Sequence, residues 1–213
     1  MSSALNLQIR HLGQRDYEPV WHDMQQFTAQ RDARTDDELW LVEHPAIFTL
    51  GLNGKPHHLL NTGNIPVLKV DRGGQVTYHG PGQIILYCLI DLERLGIGVR
   101  QLVQMIEQAI INLLAKYGID AQARRDAPGV YVEGAKIAAL GLRIKRGRSY
   151  HGLSFNADMD LEPFSRINPC GYEGMAVTQM ADLKPELNTS TLSTQLAEQL
   201  ITELKQILGY NNR

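Results

Sequence analysis

The stretch Asp71–Leu92, DRGGQVTYHGPGQIILYCLIDL, constrains the fold most, because it joins the least core-like backbone in the chain to the most core-like. Arg72, Gly73 and Gly74 form a turn, Gln75 to Tyr78 alternate like a strand, and His79-Gly-Pro-Gly82 turns again before an apolar run from Ile84 to Ile90. Such a run belongs in the middle of a sheet, so the sheet's centre carries a polar, glycine-lined shelf. Two adjacent glycines remove side chains from a turn and let a ligand lie against backbone amides, a geometry suited to a carbonyl or carboxylate. No Gly-Lys-Ser/Thr follows and GxGxxG is absent, so a nucleotide loop has no support here. The glycines suit a plain hairpin equally well. Arg72, Tyr78 and His79 crowded around them favour a site.

The 213 residues fit one domain spanning 1–213, and 43% hydrophobic content fills its core. Basic and acidic residues nearly cancel, 21 against 23, so no global charge draws the chain to nucleic acid or an anionic membrane. A charged partner must be met by a local patch. The two cysteines, Cys88 and Cys170, form no CxxC and no metal-type cluster, which argues against a disulfide framework, a zinc site or any metal. A reducing, cytoplasmic setting is expected. The opening residues do not read as a signal peptide, and the seven-residue run Ile84 to Ile90 is far short of a span.

In chain order, a short strand around Leu5 to Ile9 precedes a helix capped by Asp16, with Pro19 tolerated in its first turn. Val20, Trp21, Met24, Phe27 and Thr28 share one face of it, packed on the sheet. Glu38 to Glu43 and Ala46 to Leu50 read as strands paired around His44-Pro45, and Pro66 to Val70 returns the chain to the sheet. His57 and His58 in a polar loop read as solvated, with no third ligand at metal spacing. Leu102, Val103, Ile106, Ile110, Leu113, Leu114 and Tyr117 trace a helix that Gly118 ends. Val130 to Val132, Lys136 to Lys145 and Ser149 to Asn156 read as an antiparallel meander, and Leu192 to Leu208 as a closing helix. The fold class is therefore α+β, a mixed, largely antiparallel sheet covered by helices mainly on one side.

Two residues stand out for chemistry. Cys88, inside LYCLI, reads as an inert core thiol, whereas Cys170 lies in the turn NPCG, where a sulfur can face a cleft. Lys136 interrupts the small, apolar run Ala135, Ile137, Ala138, Ala139, Leu140; it lies either on a solvated sheet face or in a site where its charge has a use. Arg143, Lys145, Arg146 and Arg148 cluster at a hairpin turn, which reads as a solvated tip; only a family resemblance makes them, extended by Arg124 and Arg125, a landing patch for an acidic partner.

RGGQVTYHGPGQ closely resembles the signature of the lipoyl(octanoyl) transferases, and the likeness continues through EHPAIFTLG (Glu43 to Gly51), GAKIAALGLRI (Gly134 to Ile144), HGLSFN (His151 to Asn156) and NPCG (Asn168 to Gly171). The resemblance implies the fold shared by lipoate ligases and the catalytic domain of biotin ligases. It also implies transfer of octanoyl from octanoyl-acyl carrier protein to a lysine on lipoyl domains, those of 2-oxoacid dehydrogenase acyltransferase subunits and of the glycine cleavage H protein. Cys170 aligns with the family's nucleophile and Lys136 with its catalytic lysine. Arg72, Gly73, Gly74, Gln75, Val76, Thr77, Tyr78 and His79, with Ala139, Leu140, Gly141, Gly152, Leu153 and Ser154, align with its acyl pocket. His79 is expected to orient the thiol or the amine and Tyr78 to wall the tunnel; backbone amides near Gly73, Gly74 or Cys170 are expected to serve as oxyanion donors. No cofactor, nucleic acid or membrane is implied, and a monomer is expected. The competing readings are an ATP-dependent ligase of the same fold, a thioesterase, and a non-catalytic carrier-binding or lipoyl-domain-binding module.

Overall fold

The computed structural model describes residues 6–210, except for the side chains of Cys170, Ile207, Leu208 and Tyr210. Leu5, expected in the first strand, lies outside the described residues. The chain runs β1 (Leu7–Gln14), α1 (Tyr17–Gln30), β2 (Asp37–Glu43), β3 (Ile47–Leu50), β4 (Val67–Lys69), β5 (Val76–His79), β6 (Gln83–Leu89), α2 (Leu92–Leu95), α3 (Val99–Lys116), β7 (Gln122–Ala123), β8 (Gly129–Val132), β9 (Ala135–Lys145), β10 (Arg148–Asn156), α4 (Met180–Leu183) and α5 (Thr189–Tyr210). Short 3₁₀ turns occupy Pro56–His58, Glu162–Arg166 and Pro169–Gly171.

Among the described residues two sheets form, a seven-stranded one in the order β1-β2-β6-β10-β9-β8-β7 and a three-stranded one in the order β4-β3-β5. Only β1 with β2 and β3 with β4 pair in parallel in these sheets; the other ladders are antiparallel. The apolar run at β6 pairs with β2 on one side and β10 on the other, as expected of a strand buried on both faces. Its side chains alternate. Ile84, Leu86, Cys88 and Ile90 enter a core built with Leu102, Ile106, Ile110 and Leu113 of α3 and Leu196 and Leu200 of α5, whereas Ile85, Tyr87 and Leu89 meet Val20 and Met24 of α1.

Two expectations are corrected. The strands on either side of His44-Pro45 do not pair: β2 belongs to the large sheet and β3 to the small one, because the turn hands the chain from one sheet to the other. The alternation within each strand was legible, but alternation does not say which sheet a strand joins. Helices also cover both faces, with α3 and α5 on one and α1 on the other beside the small sheet. Helix α3 ends as expected, with Gly118 in the left-handed region at φ +70°.

One buried ionic knot ties the entry and exit of this architecture. Asp37, fully buried at the start of β2, accepts from Arg31 Nη2 at 2.6 Å and from the Asp91 amide at 2.8 Å, and pairs with Arg94 Nη2 at 2.7 Å. Arg31 also donates to the Leu89 carbonyl at 3.0 Å, so the end of α1, the start of β2 and the end of β6 share one charge cluster. Removing one partner of such a pair strands the other without water. We expect Asp37→Ala to lower the unfolding free energy by about 3–5 kcal/mol in urea, and Asp37→Leu combined with Arg31→Met to recover most of that loss. Equal destabilisation by the single and double variants would contradict this account.

Candidate active site

A cavity of about 40 Å³ in water-accessible volume opens between the large sheet and the small one, space for about three water centres. Its walls come from the turn before β5 (Arg72, Gly74, Gln75), from β5 (Val76, Thr77, His79), from β9 (Ala139, Leu140, Gly141), from β10 (His151, Gly152, Leu153, Ser154), from β6 (Ile85, Tyr87) and from Tyr17 of α1. The turn docks closely on β9. The Gly73 amide donates to the Leu142 carbonyl at 2.9 Å, and a Cβ on Gly141 would stand 3.1 Å from the Gly73 carbonyl oxygen and 3.2 Å from Arg72 Cδ. The diglycine thus serves sheet-to-turn contact as well as any ligand.

Of the residues expected at the pocket, Gly73 and Tyr78 stand behind this wall. Tyr78 turns into the small sheet's own core, its ring 5.5 Å from those of both Phe48 and Phe164. The Gly73 amide, committed to Leu142, is lost as an oxyanion donor. Arg72 is buried, and its guanidinium donates to Thr49 O at 2.7 Å and to Gln75 O at 2.9 Å, so it holds the loop's shape from within.

Asp71 anchors the loop from the other end. It accepts from Trp21 Nε1 (2.7 Å), Gln25 Nε2 (3.1 Å) and Tyr150 Oη (2.5 Å), and shares a 2.9 Å hydrogen bond with His151 Nε2. Burial alone would raise this carboxyl, but the four hydrogen bonds, His151 first, outweigh burial and hold it well below the usual carboxylate range. His151 faces Asp71 because its backbone takes the left-handed region at φ +59°, which interrupts the alternation of β10 and puts His151 beside Tyr150. Its Nδ1 lies 3.4 Å from Tyr17 Oη, and Tyr87 Oη lies 2.8 Å from His44 Nε2. Tyr17, Tyr87 and His151 were missed in the sequence; the available signal was a histidine set beside Gly152 in the middle of a strand.

Burial disfavours the charged form of the buried histidines. Burial, helped by the neighbouring His44 and Arg72, pushes His79 down to about 3, and burial pushes His44 down to about 4. His79 Nδ1 meets Gln83 Oε1 at 2.8 Å; Gln83 Nε2 donates to Asn156 Oδ1 at 2.9 Å; Asn156 Nδ2 donates to Thr178 O at 3.0 Å. That chain ends at Lys136, whose carbonyl accepts from the Thr178 amide at 3.0 Å.

Lys136 is 4% exposed. The ladder between β8 and β9 slips by one residue, with Val130 opposite Ala138 but Tyr131 opposite Lys136, so Ile137 is an extra residue in a β-bulge. Ile137 and Ala138 both turn to the helix-covered core, and Lys136 shares the other face with Ala139 and Tyr131. Its ammonium lies 5.2 Å from the Tyr131 ring centre and donates to the Pro128 carbonyl at 3.3 Å. The Cys170 side chain lies outside the described residues; its backbone belongs to the Pro169–Gly171 turn, whose Gly171 abuts Gln75 and His58. Two residues on, Tyr172 donates to the Asp126 carbonyl at 3.0 Å, and further on the Lys136 amide donates to Ala176 O at 2.8 Å. The loop 126–128 therefore touches both Tyr172, which follows the cysteine's turn, and the lysine's head. Gln75 Oε1, buried at this junction, has no hydrogen-bond partner among the described residues. Cys88 is fully buried, its thiol pushed up to about 12 by burial.

Residues 16–204 match the lipoyl protein ligase A/B catalytic domain family. An octanoyltransferase of Shewanella sp. (strain W3-18-1) is 59% identical over 206 residues, 97% of this chain and 93% of that protein, and one of Pseudomonas fluorescens (strain SBW25) is 58% identical over 198 residues, 93% and 92%. The chain belongs to the octanoyltransferases of this family. It is accordingly an acyltransferase. The fold agrees: the bipartite lipoate protein ligase of Thermoplasma acidophilum superposes with a TM-score of 0.69 at 13% identity, over 96% of this chain and 83% of that one. A biotin protein ligase of Aquifex aeolicus superposes with a TM-score of 0.59 at 9% identity, over 95% of this chain and 72% of that one. No helix among the described residues is long and apolar enough to cross a membrane.

Because His44 and His79 are depressed in the folded chain, the unfolded chain takes up protons first as pH falls below about 6.5. Their contribution to stability is complete above that pH and is lost as pH falls toward the folded values. We expect each to remove about 2 kcal/mol of unfolding free energy between pH 6.5 and 5. His44→Gln should flatten the urea-derived stability profile by that amount, and an unchanged slope would contradict the assignment.

Proposed function

We propose that this acyltransferase moves an octanoyl group from octanoyl-acyl carrier protein to a lysine on lipoyl domains, through a thioester on Cys170, acting as one catalytic domain over residues 1–213. The observation that carries the reading is the contact of the 126–128 loop with both Tyr172, next to the cysteine's turn, and the Lys136 ammonium, on the strand that also supplies Ala139, Leu140 and Gly141 to the glycine-walled cavity. The acceptors are the lipoyl domains of 2-oxoacid dehydrogenase acyltransferase subunits and the glycine cleavage H protein. In support, the Thermoplasma ligase of like fold is described together with its E2 lipoyl domain.

In the first half-reaction the Cys170 thiolate attacks the carrier thioester carbonyl, and the carrier's C–S bond breaks as its thiol leaves with a proton. In the second, the target amine attacks the octanoyl-Cys170 thioester, a C–N bond forms, and the cysteine sulfur departs. The thioester supplies the activation, so no ATP is consumed. Lys136 favours the thiolate as a nearby cation and manages the proton of thiol and amine in turn.

Magnitudes rank these roles. A cysteine of pKa ~8.5 is about 3% thiolate at pH 7, so full ionisation raises the reactive fraction about thirtyfold, or about 2 kcal/mol. One oxyanion donor is worth about a hundredfold to a thousandfold. With the Gly73 amide committed elsewhere, that donor is sought at the Cys170 turn and Gly74. Burying about seven acyl carbons contributes about 5 kcal/mol, enough to select octanoyl over short acyl groups. Gln75 Oε1, otherwise unpaired, accepts an N–H from the incoming amine.

The basic hairpin at Arg143 to Arg148 is a poor landing patch for the carrier. Arg148 is bound to Asp91 and to the Arg31 carbonyl, and nine residue steps along β9, about 30 Å, separate Lys145 from Lys136. Arg124 and Arg125 adjoin the 126–128 loop and are the better candidates.

Intact-protein mass after mixing with octanoyl-carrier protein tests the assignment. We expect Cys170→Ser to abolish the octanoyl adduct and Cys88→Ser to keep it; an adduct on the Cys170 variant would falsify the nucleophile. Lys136→Ala should slow adduct formation at pH 7 by at least about tenfold, with partial recovery at high pH. A normal rate at pH 7 would remove its role.

A further inference from the structure

Glu107 lies on α3, four residues from Val103 and Ile111, on a helix whose inner face is otherwise apolar, and is 8% exposed. A carboxylate so placed needs a partner. Its Oε1 accepts from the Gly129 amide at 3.0 Å. The carbonyl of that same peptide unit, Pro128 O, is the one to which Lys136 Nζ donates at 3.3 Å. One peptide bond is thus held from both ends, its N–H by a carboxylate and its C=O by an ammonium.

The orientation is electrostatically consistent. A peptide dipole points its positive end along N–H and its negative end along C=O. A carboxylate on the N–H draws charge toward the carbonyl oxygen and strengthens the bond that oxygen accepts. The backbone is shaped for the arrangement: Gly129 has φ +143°, and a Cβ there would stand 2.6 Å from Ala138 O and 3.2 Å from Lys136 Cε. An alanine would push the lysine stem from its seat. Burial raises the Glu107 carboxyl, while the Gly129 hydrogen bond and the charge of Lys136 act to lower it.

We propose that Glu107 is a positioning residue for Lys136, acting through the Pro128–Gly129 peptide to fix the ammonium's place and favour its charged form. The catalytic consequence rests on the reading that Lys136 serves acyl transfer; the coupling does not. Among the described residues, the other titratable or charged groups close by are Tyr131 of β8, under the ammonium, Arg124, 5.1 Å from the centre of that same ring, and Asp126, paired with Arg124 at 2.7 Å.

The test uses the full chain with lysine Cε labelled by ¹³C, the Lys136 signal being assigned by its loss in Lys136→Arg. Glu107→Gln keeps an acceptor for the Gly129 amide and removes only the charge. We expect it to lower the Lys136 titration midpoint by about one pH unit and to leave the signals of Lys69 and Lys116 unmoved. The reciprocal change should follow, with Lys136→Met raising the Glu107 carboxyl midpoint, since coupling acts equally in both directions. Unmoved midpoints in both variants would overturn the proposal. If the midpoint falls and the pH profile of adduct formation falls with it, both the coupling and the role of Lys136 stand. If the midpoint falls while that profile is unchanged, the coupling stands and the role of Lys136 in acyl transfer does not.

Discussion

One extra residue in β9 decides where the chain's buried lysine points. Without the bulge at Ile137, the strict alternation of a strand would set Lys136 on the face of Ala138, against the apolar helices α3 and α5. An ammonium driven into that layer would cost several kcal/mol or lose its proton. With the bulge, Ile137 and Ala138 both fill the core, and Lys136 shares a face with the cavity residue Ala139. The edge of β9 beyond the bulge, where β10 no longer pairs, is taken up by residues 176–178, the segment that follows the cysteine's turn. The residue that the bulge turns is thus also the one bridged to the segment leading back to the proposed nucleophile.

The cavity itself depends on a loop held at both ends. Asp71 is fixed by four side chains from α1 and β10, and Arg72 folds back onto Thr49 and Gln75. The diglycine between the cavity and β9 is thereby kept at backbone-contact distance from Gly141. Tyr17, Tyr87 and His151 of the cavity wall, with His44 beside them, form a buried polar layer in which burial disfavours charge. Groups fixed in this way are set in place before any ligand arrives, so the walls of the cavity need not be ordered on binding.

The sequence made the meander β8 to β10, the central strand β6 and the long helices legible, because each carries its period plainly. The motifs also brought most of the cavity residues into view before any geometry. What stayed hidden depends on information a period does not hold. The pairing partners of β2 and β3 differ although both strands alternate alike, and the bulge at Ile137 is invisible in AKIAAL, where a regular strand reads equally well. Tyr17 looks like an ordinary first-turn residue of α1, and Glu107 like one polar position on a helix. Only the fold shows the first lining the cavity and the second facing the peptide that holds Lys136. Arg148 shows the opposite error, a charge that reads as solvated and is bound to Asp91.

The claim at the centre is that the acyl group rests on the protein between donor and acceptor. Rapid-quench mass spectrometry of the chain loaded with octanoyl-carrier protein, then chased with an apo lipoyl domain in the absence of ATP, measures this directly. The account predicts one octanoyl group per chain before the chase, and its passage to the lipoyl-domain lysine as the adduct disappears. Octanoyl reaching the lipoyl domain without a protein adduct ever forming, or leaving the adduct as free octanoate, would contradict it.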